Sequence, residues 1–181
     1  MQIFACVEDC LGFLKQPDYS SGETTKGPPV NSVAKVIPAE DELARLARGE
    51  FEFIDLGCGT GESIGFVAKK FGYQNGVGID ISRRKIAGAL ENGYRVLLAD
   101  VTKTPLPKKS VSFTSMMDFL EHLPSLVHAE EVIRASAELS RDFLYIRHPS
   151  FEDIDYLKQY GVKLCWTDWH GHTNMMLLSE Y

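Results

Sequence analysis

Three glycines at alternate positions, Gly57, Gly59 and Gly61, follow an aspartate in the run Phe53–Gly61 (FIDLGCGTG). An apolar stretch precedes them and a helical pattern follows, so they sit on a strand-to-helix turn. Glycine there admits positive φ and lets a ligand approach the backbone with no Cβ in the way. The helix N-terminus behind the turn offers free N–H groups. The dinucleotide spacing G-x-G-x-x-G fails, because its third position falls on Glu62, whose carboxylate would repel a pyrophosphate.

The spacing G-x-G-x-G behind Asp55 suits a nucleoside ligand without phosphate. S-adenosylmethionine is such a ligand, with a sulfonium and an amino-acid end carrying both charges. Asp55 and Glu62 can accept hydrogen bonds from its ammonium group, directly or through water. Asp80 ends the next strand, where a carboxylate can accept both hydroxyls of a ribose. Asp100, in LLADV, is placed to accept the adenine amino group, with Val101 giving backbone and apolar contact. Each aspartate alone could be a turn or helix cap, and a glycine turn can join strand to helix without any ligand. Three acids at successive strand ends on one edge favour the ligand.

These residues need an alternating scaffold. The pattern predicts strands at Phe51–Leu56, Val77–Ile81, Arg95–Val101, Val111–Met117 and Phe143–Arg147. Between them fall helices at Glu62–Phe71 (Ile64, Val67, Ala68 and Phe71 on one face), from Ser82 to Asn92-Gly93, and at about Ser125–Leu139 (Leu126, Ala129, Ile133 and Ala137 on one face). Arg83, Arg84 and Lys85 oppose the dipole of the second of these helices, for no reason visible in sequence. A further helix is expected at 38–49, and a short helix or packing arm at 1–14. Residues 17–32 form a loop. Beyond Pro149 come a helix at Ile154–Tyr160, a strand at Val162–Trp166, and a last strand or helix start in NMMLLSEY. Strand–helix alternation of this kind means an α/β fold with a mostly parallel sheet and helices on both faces. Right-handed crossovers then bring the strand C-termini to one edge, where ligands bind.

With FIDLGCGTG followed by GIDIS, LLADVTKTPLP and SMMDFLEHLP, the chain resembles the class I S-adenosylmethionine-dependent methyltransferases, in particular the type 11 branch. The resemblance covers roughly Phe51 to Pro149. It implies a Rossmann-like fold and S-adenosylmethionine as cofactor, held by Asp55, Gly57, Cys58, Gly59, Gly61, Asp80, Ile81, Asp100, Val101, Met117 and Asp118. It also implies that the end of the fourth strand borders cofactor and acceptor. Met117 and Phe119 could line the cofactor pocket. Asp118, Glu121 and His122 are candidates for acceptor contact or proton removal, although Glu121-His122 could equally just order the loop. His148, at the end of the fifth strand, joins Asp118 and His122 as a catalytic candidate. The usual antiparallel C-terminal edge has little room here. That edge is then incomplete, or closed by the N-terminal segment, a second copy or a partner chain.

His170 and His172, with Asp168 near, form an HxH that could bind a metal. A loop bonding its own turns is the favoured reading, so no metal is expected. Trp166 and Trp169 are core or the wall of an acceptor lid.

The 181 residues suit one domain, read as arm and loop 1–36, cofactor core 37–149 and acceptor-side segment 150–181. Net charge is −6, which disfavours nucleic acid as a partner. No apolar run is long enough to span a bilayer. Four cysteines (Cys6, Cys10, Cys58, Cys165) show no framework spacing and suit reduced thiols in a cytoplasmic protein. The expected activity is in-line methyl transfer to a small molecule. The alternatives are a binding protein without independent activity and, disfavoured by the glycine spacing, a nicotinamide-dependent oxidoreductase.

Overall fold

A computed structural model describes residues 3–4, 39–162, 164, 166–167 and 169–177. The elements are β1 (Ile3–Phe4), α1 (Ala39–Ala47), β2 (Phe53–Leu56), α2 (Glu62–Phe71), β3 (Gly76–Asp80), α3 (Arg83–Glu91), β4 (Val96–Leu98), β5 (Val111–Met117), a 3-10 turn (Leu120–His122), α4 (Leu126–Leu139), β6 (Ser140–Arg147) and α5 (Ile154–Gln159). The strands form one sheet in the order β1-β6-β5-β2-β3-β4, and every pair is parallel. The α/β architecture, with helices packed on both faces of the sheet, is therefore as the sequence implied.

β2 is the axis of the sheet, paired to β5 on one side and β3 on the other. All four of its residues are buried, and they alternate between two cores. Ile54 and Leu56 enter the core under α1 and α4, with Val77, Ile79, Met116 and Leu144. Phe53 enters the core under α2 and α3, where Phe113 stacks between Phe53 and Phe143 at centroid distances of 5.0 and 4.7 Å. On this second face β3 carries Gly76 and Gly78 ahead of Asp80, and space explains the glycines. A Cβ on Gly78 would stand 2.5 Å from Cys58 Sγ and 2.6 Å from Ile64 Cδ1.

Several boundaries differ from the sequence reading. β4 stops at Leu98 instead of Val101, because the side chain of Asp100 captures the backbone. Its Oδ1 accepts from Thr102 N (3.0 Å) and Thr102 Oγ1 (2.6 Å), and its carbonyl accepts from Lys103 N and Thr104 N. β6 starts at Ser140, directly after α4. The buried face of α4 is Ala129, Val132, Ser136 and Leu139, and the expected Leu126 is 43% exposed. Ser136 is tolerated there because its hydroxyl donates to Val132 O at 2.7 Å.

The strand expected at Val162–Trp166 is absent among the described residues, as is any antiparallel strand. The edge at β6 is occupied by the N-terminal segment: Ile3 pairs with Leu144 and Phe4 with Tyr145. Among the expected closures, the N-terminal one is thus realised. The helix or arm expected at 1–14 otherwise lies outside the described residues, as do the loop 17–32, Cys6, Cys10, Cys165, Asp168 and the last four residues.

The strand ends Leu56, Asp80, Met117 and Arg147 fall on one edge of the sheet, where the glycine turn leaves β2. Asp55 supports that turn from beneath. It is fully buried, and its two oxygens accept from Ser63 Oγ of α2 and Ser115 Oγ of β5, each at 2.5 Å. Burial pushes its pKa up to about 6; the two hydroxyls and the charge of Arg147 pull the other way.

An acid raised on folding loses its proton in the unfolded chain first, so stability falls as pH rises from about 4 to about 6 and is level outside that window. Relative to Asp55→Asn, the native chain should lose about 3 kcal/mol across this window. Glu121, also raised, acts equally in both proteins and cancels. Urea unfolding at a series of pH values measures the difference, and a pH-independent gap would refute the assignment. Gly78→Ala should cost about 1–3 kcal/mol by overpacking, seen as a lower urea midpoint at unchanged slope.

Candidate active site

The glycine turn floors an open cleft of about 570 Å³. Its lining includes Gly57, Cys58, Gly59, Thr60, Glu62, Ser63 and Phe66 from the turn and α2, together with Lys85, Met117, Asp118 and Arg147. Gly57, Gly59 and Gly61 all have positive φ (70°, 57° and 100°). Two of them also meet a ring. A Cβ on Gly57 would lie 2.3 Å from Phe119 Cδ2, and one on Gly61 would lie 2.2 Å from Tyr94 Cδ2. Phe119 therefore braces the turn from behind. Gly59 differs, with open space where its Cβ would be. The Cys58 thiol turns inward against the position of Gly78, and its burial raises its pKa far out of the reactive range. What Cys58 offers the cleft is backbone.

Asp80 ties the turn to the neighbouring strand end. One oxygen accepts from Gly59 N (3.0 Å) and the other from Ser82 N (2.7 Å). Each oxygen keeps a second acceptor direction. Ile81, next to it, is 71% exposed, an apolar side chain at a strand end with no core role.

Glu62 faces the cleft with Thr60 Oγ1 donating to it at 2.6 Å. Two cations, Lys85 and Arg147, line the same cleft. Lys85 gives a purpose to one of the three cations at the start of α3; Arg83 and Arg84 are exposed. Arg147 lies over the Phe66 ring at 5.7 Å, and its Nη2 donates to Asp118 Oδ2 at 2.5 Å. Asp118 is held at φ 50°, with its N–H bonded to Arg147 O at 2.7 Å. Aspartate tolerates this left-handed backbone better than most residues. The cleft thus holds two carboxylates, Glu62 and Asp118, and two cations, Lys85 and Arg147, with Asp118 and Arg147 paired to each other, so both signs face a ligand as a zwitterion requires.

The structure gathers most of the sequence candidates and disperses the rest. Gly57, Cys58, Gly59, Met117 and Asp118 line the cleft, while Gly61 and Asp80 shape it. Asp55 reaches it only through Ser63. Asp100 and Val101 do not reach it. Asp100 is bonded to Thr102 and to Lys103 Nζ (2.9 Å), which hold its pKa down at about 2. Val101 lines a separate cavity of about 230 Å³ with Leu106 and Val132. Arg147, Lys85, Ser63 and Phe66 were not singled out in the sequence. The sequence signal for Arg147 is its place as the last residue of the fifth strand, one before His148.

His122 and His148 also stand outside the cleft lining. They belong to a second cluster beside it. His148 stacks on Phe151 (6.0 Å), Phe151 meets His172 edge-on (5.7 Å), and His172 faces His122 (5.1 Å). Burial lowers the pKa of His148, so its imidazole is neutral at neutral pH. Trp166 donates from its indole to Ser150 O at 2.9 Å, whereas Trp169 is 54% exposed and abuts His122 and His172. His170 is exposed and takes no part. Among the described residues no helix is long and apolar enough to cross a membrane.

Residues 53–141 match the family model described as a methyltransferase domain. No curated protein matches the sequence significantly. Among solved structures, a SAM-dependent methyltransferase from Archaeoglobus fulgidus has 22% identity and a TM-score of 0.56, with 78% of this chain and 64% of that one covered. A SAM-dependent methyltransferase from Methanosarcina mazei has 24% identity and a TM-score of 0.51, covering 61% of this chain and 57% of that one. The chain therefore spans roughly three-fifths of the length of these structures, and at such identities they speak for the fold. The family model, the shared fold and the glycine-turn cleft agree: residues 53–141 form a methyltransferase domain of the class I S-adenosylmethionine-dependent kind.

Proposed function

We propose that the chain is an active methyltransferase that moves the methyl group of S-adenosylmethionine to a small-molecule acceptor by in-line displacement. The observation that carries this reading is the cleft's charge composition, Glu62 in one lining with Lys85 and Arg147. When bound, the cofactor supplies an electrophilic methyl on a sulfonium that leaves as a neutral thioether.

In this reading Glu62 accepts from the ammonium group, and Arg147 and Lys85 hold the carboxylate. Asp80 accepts from the ribose hydroxyls with its remaining lone pairs. Ile81 covers the adenine, and the backbone of Gly57–Gly61 lies along the methionine portion. Gly59 leaves the approach open. Asp55 is a positioning residue acting through Ser63 and Ser115. Asp100 is reassigned to the turn after β4, because its oxygens are engaged there. Asp118, paired with Arg147, positions that cation at the edge where the acceptor enters. His148 is neutral and can take a proton from an acceptor that must lose one. His122 flanks the same entrance. Holding acceptor and methyl in line can be worth several kcal/mol of barrier.

The second reading, cofactor binding without independent transfer, draws on the absence of an antiparallel strand among the described residues. Both readings share the cofactor and differ only in turnover.

Calorimetric titration should give micromolar binding of S-adenosylmethionine and none of NAD. Asp80→Ala should weaken binding about tenfold or more through loss of the ribose acceptor and of the Gly59 tie. Asp80→Asn, which retains one acceptor, should fall between. A folded sample that gives no heat with S-adenosylmethionine, or prefers NAD, would end the cofactor assignment. Label from methyl-labelled cofactor should appear in a small molecule when a pool of cell metabolites is screened. Tight cofactor binding with no label transferred would favour the second reading.

A further inference from the structure

The 3-10 turn Leu120–His122 is clasped by the segment around residues 171–174. Asn174 N donates to Glu121 O (3.0 Å), Asn174 Nδ2 to Leu120 O (3.2 Å) and Thr173 Oγ1 to Leu123 O (2.9 Å). The clasp sets His172 against Glu121 and His122. Both imidazoles are oriented by carbonyls: His122 Nδ1 lies 2.8 Å from Gly171 O, and His172 Nδ1 lies 2.8 Å from Trp166 O. A carbonyl only accepts, so each Nδ1 carries a proton, and in the neutral ring Nε2 is the atom left to bind an ion. The Glu121 carboxylate is 1% exposed, and neither oxygen has a hydrogen-bond partner among the described residues. His172 Nε2 is 4.0 Å from Oε1, too far for a hydrogen bond.

One donor atom from each of Glu121, His122 and His172 lies within 4.8 Å of the other two. A buried carboxylate that nothing else hydrogen-bonds among the described residues thus faces two imidazoles, and one divalent cation satisfies all three groups at once. The arrangement also matches how metal-binding histidines are built, with one ring nitrogen held by a backbone carbonyl and the other presented to the ion. Ligands on a tetrahedral zinc lie about 3.3 Å apart, given bonds of about 2.0–2.1 Å. The set needs to close by about an ångström or so, which the exposed His122 ring and the terminal torsion of Glu121 can supply.

We propose that Glu121, His122 and His172 form a binding site for a divalent transition cation, of which zinc fits the donor set best. Two imidazoles and one carboxylate leave a fourth position open, as in sites where the ion carries water or a substrate oxygen. The histidine pair is not the HxH of the sequence: His170 is replaced by a residue some fifty positions earlier in the chain.

The test uses the full chain, stripped with chelator, and cobalt(II) as a spectroscopic probe. One equivalent should bind with visible absorption of a low-coordinate site, and zinc should displace it. His172→Ala and Glu121→Gln should each weaken cobalt binding at least tenfold. Zinc should raise the thermal midpoint of the native chain but not of these variants. His128→Gln, whose ring bonds only Ser125 nearby, should behave as the native chain. Titration of Glu121→Gln with S-adenosylmethionine reports folding and the cofactor site separately. The proposal is overturned if the native chain takes up no cobalt. It is equally overturned if Glu121→Gln and His172→Ala bind cobalt as the native chain does, which would place the ion elsewhere, for instance on the cysteines.

Discussion

A carboxylate with no access to water sits under the turn that makes the cleft. Asp55 is held by one hydroxyl from α2 and one from β5, so a single side chain joins the central strand to its neighbour and to the helix that follows. Leaving such a group unpaired would cost several kcal/mol. The two serines are therefore fixed as firmly as the acid is. Asp80 repeats the device from the other side, accepting from the turn at Gly59 and from the start of α3 at Ser82. Between these two carboxylates the backbone of Gly57–Gly61 has little freedom left, and its orientation is set before any ligand arrives.

The glycines belong to the same constraint. Gly57 and Gly61 are pressed against Phe119 and Tyr94, and the β3 glycine Gly78 makes room for Cys58 and Ile64. Packing and ligand approach thus demand the same residue type for different reasons. Gly59 differs from its two neighbours in the turn: no atom crowds its Cβ position, and its positive φ is what favours glycine there.

The local features were legible in the sequence because they depend on neighbours in the chain. The strand, glycine turn and helix over Phe53–Phe71 follow directly from alternation and periodicity, and β5 matches its expected bounds. Errors arose where a side chain competed with the backbone or where tertiary packing chose between faces. Asp100 formed its own turn and ended β4 early. The buried face of α4 took in Val132 and Ser136 because a serine bonded within its own helix can be buried. Arg147 was passed over because nothing local distinguishes a strand-end arginine that crosses a cleft from a solvated one. The approach of His172 to Glu121 and His122 joins segments far apart in the chain, and no spacing in the sequence announces it. The family resemblance, in contrast, rested on motifs whose positions the structure preserves.

The central claim is that an adenosine cofactor lies along the glycine turn on the Asp80 side of the cleft. Backbone amide chemical shifts, followed as S-adenosylhomocysteine is added to labelled protein, test it residue by residue. The account predicts the largest changes at Gly57–Gly61, Ile81–Ser82 and Met117–Asp118. Changes confined to the separate cavity around Val101 and Leu106, or none at the turn under saturating ligand, would contradict it.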